Sequence, residues 1–213
     1  MTSIKICGLT RLDDARWAAR CGADLLGFIC WPGSARHIAP QGLAEIVETL
    51  REEGCRATLV GVFVHQALTY VRHVAIGCGL DLVQLHGDES PTYAAALGLP
   101  YLLARRVRTV DDLSGLDAYA PWGLVLDSYD PARPGGTGRP WRWELLQQAS
   151  LADERVVLAG GLAPENVRAA LRAARPWGVD VATGVESAPG IKDPARVAAL
   201  IHAVREEDAR DDG

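Results

Sequence analysis

The chain has 213 residues, of which 48% are hydrophobic, and a formal net charge of -5 at pH 7. That length allows one large domain or two small ones, and that apolar share can fill a large core. The negative balance argues against nucleic acid, whose binding domains are usually basic, and no apolar run reaches the roughly 18 residues that span a bilayer.

Short β-rich runs alternate with amphipathic stretches along the whole chain. The predicted strands are Ile4–Cys7, Leu25–Ile29, Thr58–Val64, Leu82–His86, Tyr101–Arg105, Gly123–Asp127, Val156–Ala159 and Val179–Thr183. Between them the helical patterns are Leu12–Arg20, Gly42–Glu53, Leu68–Ile76, Ala94–Gly98 and Pro164–Ala174, with Asp193–Glu206 closing the chain. A weaker pattern over Val110–Ala118 reads as a short turn. Alternation of this kind builds a parallel sheet, and eight strands is the number that closes a barrel. A doubly wound sheet needs only five or six. The expectation is a single α/β domain, a (β/α)8 barrel over residues 1–205, followed by a charged, frayed tail at 206–213. The longest irregular piece, Ser128–Pro140, holds three prolines and three glycines and reads as a binding loop or lid, or as a surface insertion.

Cys7, Cys21, Cys30, Cys55 and Cys78 are odd in number and form no C-x-x-C pair. Reduced thiols in the cytoplasm fit this better than a disulfide framework. The five histidines lack metal-ligand spacing, so no metal is expected. The N-terminus enters a strand at once, without a signal-peptide pattern.

Two strand–glycine–helix junctions near the C-terminus carry the first chemical signal: Val156-Val157-Leu158-Ala159-Gly160-Gly161 and Gly178-Val179-Asp180-Val181-Ala182-Thr183-Gly184. Glycine lets backbone approach a ligand closely, and the N–H groups of such turns can face an anion. One junction alone reads equally well as an ordinary capped loop. Two on consecutive strands point to a shared phosphate site, placed as it is after the seventh and eighth strands of a barrel.

Side chains alternate between the two faces of a strand. With Ile4 and Ile6 toward the helices, Lys5 and Cys7 face the barrel interior. By the same alternation Gln84 and His86, Val125 and Asp127, and Asp180 and Ala182 turn inward. Cys7 and Asp127 each end their strand at the mouth, where barrel enzymes place their chemistry. A thiol and a carboxylate across one mouth can move a proton off one atom and onto another. Asp127 is also placed to cap a turn with Ser128; Cys21, Cys55 and Cys78 read as small buried hydrophobes, while Cys30, after the second strand, fits either reading.

The stretches Lys5-Ile6-Cys7-Gly8-Leu9-Thr10, Ser34-Ala35-Arg36-His37-Ile38, Val83-Gln84-Leu85-His86-Gly87-Asp88-Glu89, Leu126-Asp127-Ser128, Leu158-Ala159-Gly160-Gly161-Leu162, Gly184-Val185-Glu186 and Pro189-Gly190-Ile191-Lys192-Asp193 together resemble the phosphoribosylanthranilate isomerases of tryptophan biosynthesis. The resemblance covers nearly the whole chain in order. It implies a cofactor-free (β/α)8 barrel that performs an Amadori rearrangement of a small phosphorylated aminoaldose, as monomer or homodimer. It further implies Cys7 as general base, Asp127 as general acid, and Arg36 as the partner of the substrate carboxylate. His86 and Asp180 would orient substrate, while Gly160, Gly161, Thr183 and Gly184 would hold the phosphate through backbone N–H groups. Lys5, two residues before Cys7, is the cation expected to favour a thiolate. Ala182-Thr183 depart from the two serines common in the family, and the loop at Trp31-Pro32-Gly33 differs in detail. Two related barrels fit less well. Indole-glycerol-phosphate synthase needs a lysine acid and a longer N-terminus, and the histidine-pathway isomerase needs an aspartate where Cys7 stands.

Overall fold

All eight expected strands form, and they close on themselves. The computed structural model describes residues 1–128 and 155–211. In it β1 (Ser3–Ile6), β2 (Leu25–Ile29), β3 (Thr58–Phe63), β4 (Leu82–Leu85), β5 (Tyr101–Val107), β6 (Gly123–Ser128), β7 (Val156–Ala159) and β8 (Gly178–Val181) pair in parallel in chain order. β8 returns to β1, with Asp180 in register with Lys5. Around the barrel lie α1 (Leu12–Cys21), α2 (Pro40–Glu52), α3 (Leu68–Gly77), α4 (Pro91–Leu97), α5 (Val167–Ala174) and α6 (Pro194–Asp211).

Two apolar layers follow from the alternation. Outward residues such as Ile4, Ile6, Leu26, Phe28, Val83, Leu85, Leu124 and Leu126 pack against the helices. α2, for example, buries Leu43, Ile46, Val47 and Leu50, each contributing roughly 1.5–3 kcal/mol by leaving water. Inward residues Leu25, Val60, Leu82, Leu102, Val125 and Val157 fill the barrel itself. Trp122 and Trp177 pack against that inner layer, edge to face at 5.3 Å.

The differences from expectation lie at the ends of elements. β1 stops at Ile6, because Gly8 at φ +75° turns the chain out of the sheet, although the Cys7 N–H still donates to Val181 at 2.9 Å. β8 stops at Val181, and Thr183–Val185 form a 3-10 turn instead of strand. Val110–Ala118 becomes two short 3-10 turns, Val110–Leu113 and Leu116–Ala118. An unforeseen hairpin follows β8, made of β9 (Glu186–Ala188) and β10 (Ile191–Lys192).

The expected tail at 206–213 is corrected as well. α6 continues through Asp211, because its last turns are tied to the barrel. Glu207 is buried and takes two hydrogen bonds from Arg172, at 2.6 and 2.8 Å. Asp208 accepts from the Thr2 N–H at 2.9 Å and its hydroxyl at 2.6 Å. Apart from Ser128, the expected loop at 128–140 lies outside the described residues. Among them no helix is long and apolar enough to cross a membrane.

Candidate active site

The mouth at the C-terminal ends of the strands collects the polar inward residues. Lys5 is fully buried and donates to Asp180 Oδ2 at 2.8 Å. Burial disfavours the Lys5 charge, but the Asp180 carboxylate and the Cys7 sulfur outweigh it and hold the ammonium above the ordinary lysine range. Cys7 sits directly beyond β1 and is buried. Gly27 on β2 makes room for it: a Cβ there would stand 2.8 Å from Cys7 Sγ and 3.0 Å from Lys5 Nζ.

Burial pushes the Cys7 thiol up; Lys5 and Lys192 pull it down, Asp180 pushes it further up, and the sum stays above the ordinary cysteine value. The cation expected to favour a thiolate is thus present, but it does not overcome desolvation. Cys30, the other thiol beside the mouth loops, is driven by burial to about 12, which suits a core residue and not a base.

On the other side of the mouth, the Gln84 side-chain amide and His86 Nδ1 share a hydrogen bond at 2.8 Å. The other ring nitrogen, Nε2, stands 3.6 Å from Asp127 Oδ2. Asp127 itself, on β6 between Arg106 of β5 and Ala159 of β7, remains partly open to solvent. A cavity of about 360 Å³ lies beside it, lined by Val64, His65, His86, Ala104 and Arg106 among others. A larger cavity, about 840 Å³, lies at the opposite end of the barrel among Arg16, Arg20, Glu53 and Arg56, away from all of these groups.

The ring order corrects one detail of the sequence reading. β1 and β6 do not face each other across the axis; they are three steps apart through β8 and β7. The two glycine turns therefore fall between the carboxylate and the thiol. Gly160 and Gly161 follow β7 with φ of 88° and 64°, values that favour glycine. Asn166 fixes that turn, accepting from the Ala163 N–H at 2.8 Å and donating to the Gly161 carbonyl at 2.9 Å. Thr183 and Gly184 open the 3-10 turn after β8. Gly184 is pressed against the first turn so closely that a Cβ would stand 1.9 Å from the Leu162 carbonyl oxygen. Arg196 Nε donates to the Gly184 carbonyl at 2.8 Å and ties this turn to α6.

Arg36 arrives from the loop after β2. Its stem passes over Gly8, where a Cβ would come within 2.7 Å of Arg36 Cδ. Its Nε and Nη2 donate to Glu186 at 2.8 and 2.6 Å, a bidentate pair that holds the guanidinium charged. Glu186 also takes Lys192 Nζ at 2.9 Å. Burial favours the neutral acid, but these two cations hold Glu186 below the usual carboxylate range. Neither Glu186 nor Lys192 was singled out by sequence reasoning. Both stood inside the stretches that carry the family resemblance, and a lysine beside an isoleucine at the end of a Pro-Gly turn was the only signal.

Gly27→Ala tests the packing around the thiol. The added methyl must displace Cys7 or Lys5, so kcat is expected to fall about tenfold or more while folding persists, because overpacking of this size typically costs ~1–3 kcal/mol. Steady-state kinetics beside a thermal melt checks it.

The charges around the thiol give a second expectation. Four charged groups face Cys7: Lys5 from β1, Asp180 from β8, Lys192 from β10 and Arg36 from the loop after β2. Lys5→Met removes a group that lowers the thiol, so the acid limb of kcat/KM should move to higher pH. Asp180→Asn removes a group that raises it, so the limb should move to lower pH. Two limbs that coincide with wild type would dissociate both residues from the thiol.

A closed barrel with a carboxylate and a thiol at its rim and paired glycine turns between them suits an isomerase of the aldose–ketose class. The comparisons narrow this. Residues 4–203 match the family model described as N-(5'phosphoribosyl)anthranilate (PRA) isomerase. An N-(5'-phosphoribosyl)anthranilate isomerase of Trichlorobacter lovleyi is 43% identical over 206 residues, spanning 97% of this chain and 99% of that one. The crystal structure of the Thermotoga maritima phosphoribosyl anthranilate isomerase superposes with a TM-score of 0.88 at 34% identity, covering 97% and 100% of the two chains. A solved phosphoribosyl anthranilate isomerase in complex with reduced 1-(o-carboxyphenylamino)-1-deoxyribulose 5-phosphate matches with a TM-score of 0.83 at 32% identity, covering 97% and 100%. The chain belongs to the N-(5'-phosphoribosyl)anthranilate isomerase family.

Proposed function

We infer that the chain catalyses the Amadori rearrangement of N-(5'-phosphoribosyl)anthranilate to 1-(2-carboxyphenylamino)-1-deoxyribulose 5-phosphate in tryptophan biosynthesis, with Cys7 as base and Asp127 as acid. One observation supports the assignment of roles above the others. Around the ring, carboxylate, first glycine turn, second glycine turn and thiol follow in the order β6, β7, β8, β1. A sugar whose phosphate lies on the two central turns would reach both flanking groups with its other end.

The reaction needs two proton transfers. In the first, the Asp127 carboxyl gives its proton to the furanose ring oxygen as the C1'–O bond breaks. The anilino nitrogen supplies the electron pair and becomes a protonated imine. In the second, the Cys7 thiolate takes the proton from C2', now acidic beside the iminium, and the electron pair falls into an enolamine. Loss of the C2' hydroxyl proton and protonation of C1' then give the aminoketose, so the product is an isomer and no redox partner is consumed. Positioned groups of this kind contribute about 10²–10⁴-fold each.

Arg36 is the partner for the anthranilate carboxylate. Its Nε–Nη2 edge is taken by Glu186, and its Nη1–Nη2 edge, with no acceptor among the described residues, suits a second carboxylate. His86, held by the Gln84 amide, stands where it can steady Asp127, and Asp180 where it can accept from a sugar hydroxyl while holding Lys5. Gly160, Gly161, Thr183 and Gly184 offer backbone N–H groups to the phosphate, so the loss of a serine hydroxyl at Ala182 leaves that set of donors intact. The five free thiols fit a cytoplasmic enzyme. The test is a fluorescence assay with phosphoribosylanthranilate as sole substrate. Loss of the anthranilate-sugar signal with formation of the ketose is expected; a protein that binds the substrate without turnover overturns the reading.

A further inference from the structure

Lys192 is 3% exposed although it carries a charge, and neither proton transfer uses it. Its backbone N–H is held by Asp14 Oδ2 of α1 at 3.0 Å. Its Nζ donates to the Ala182 carbonyl at 3.1 Å and to Glu186 Oε1 at 2.9 Å. Glu186 stands on the partner strand of the same hairpin, and the Gly190 N–H adds a further donor to Oε1 at 3.2 Å. Asp14, Lys192, Glu186 and Arg36 thus form one series that runs from a surrounding helix to the mouth.

Charge counting shows what the lysine adds. Arg36 with Glu186 alone is a neutral pair, and an arriving carboxylate would meet Glu186 as well as Arg36. Two cations on one buried carboxylate leave an excess of one positive charge. Geometry adds a second effect. Lys192 Nζ and the Gly190 N–H converge on Glu186 Oε1, the oxygen that also accepts from Arg36 Nε, while Oε2 accepts from Arg36 Nη2, so the carboxylate is anchored from the hairpin as well as by the guanidinium it grips.

We propose that Lys192 is a positioning residue: through Glu186 it fixes the orientation of the Arg36 guanidinium and supplies the excess positive charge that receives the aromatic carboxylate of the substrate. This rests on the reading of Arg36 given above. Burial holds the Lys192 ammonium below the ordinary lysine value while Glu186 pulls it back up, in keeping with a charge kept in place by its partner.

The test compares two ligands by calorimetric titration: the reduced carboxyphenylamino sugar phosphate, and the same compound without the carboxyl group. Wild type, Lys192→Met and Lys192→Gln are measured, the last keeping an uncharged donor to Glu186 and deciding the matter if the methionine variant does not fold. The carboxylated ligand is expected to lose about tenfold in affinity in the variants, the scale of one charged hydrogen-bonding contact. The ligand without the carboxyl group should change by less than about twofold, since it makes no such contact. Equal losses for both ligands, or no loss for either, overturn the proposal and leave the catalytic reading intact. A wild type that shows no preference for the carboxylated ligand overturns the Arg36 reading, and the Lys192 proposal with it.

Discussion

Cys7→Ala lowers kcat by about 10²–10⁴-fold and leaves the affinity for a product analogue close to wild type, because a general base acts on the transition state and adds little to ground-state binding. Cys7→Ser behaves almost as poorly. Serine keeps the shape and loses the acidity, and the site that leaves even a thiol above its ordinary value has nothing to spare for an alcohol. Single-turnover kinetics with analogue titration separates the two quantities. The same experiment on Asp127→Asn gives a complementary loss at the ring-opening step. A substrate already opened to the imine would bypass Asp127 and still need Cys7. If either variant retained wild-type kcat, the division of acid and base between β6 and β1 would fail.

Gly184→Ala lowers kcat/KM by about 10²-fold, the scale of a misplacement near 1 Å. The reason is backbone against backbone. A methyl at this position would stand 1.9 Å from the Leu162 carbonyl oxygen and 2.9 Å from Ala163 Cα, and neither can rotate away as a side chain would. The two turns must separate, and the N–H groups meant for one phosphate no longer converge. The loss should fall on the phosphorylated ligand and spare its dephosphorylated form. Gly77→Ala is the control, because that position has nothing within 4 Å. Equal sensitivity of both ligands to Gly184→Ala would remove the phosphate from these turns.

Most of the fold was readable because its signal is local. Strand alternation sorted Val83, Leu85, Leu124 and Leu126 outward and Gln84 and Val125 inward from their neighbours in sequence alone. Strand ends were less readable. Cys7 keeps one ladder bond while Gly8 bends the chain away, a competition that periodicity does not register. The helical tail was missed because its reason lies elsewhere in the chain: Arg172 of the preceding helix holds Glu207, and Thr2, from the other end of the chain, holds Asp208. The ion pairs of the mouth were hidden for the same reason. Arg36 could be named from its surrounding residues, but its grip on Glu186 spans 150 positions. Lys5 is legible as the companion of Cys7, whereas the balance of charge and burial around the thiol also depends on Asp180 and Lys192, which only the closed ring and the hairpin after it bring near.

The bonds between Thr2 and Asp208 reach beyond the stability of one helix. Arg205 adds to them, donating to Asp24 at 2.8 Å and to the Gly22 carbonyl at 3.2 Å, so the first strand and the last helix are sewn together at the base. In a structure joined in this way, which strands meet matters more than the order in which they are strung together. A circularly permuted gene, joined by a short linker across this seam and opened at the exposed Gly54, would encode the same set of strand neighbours.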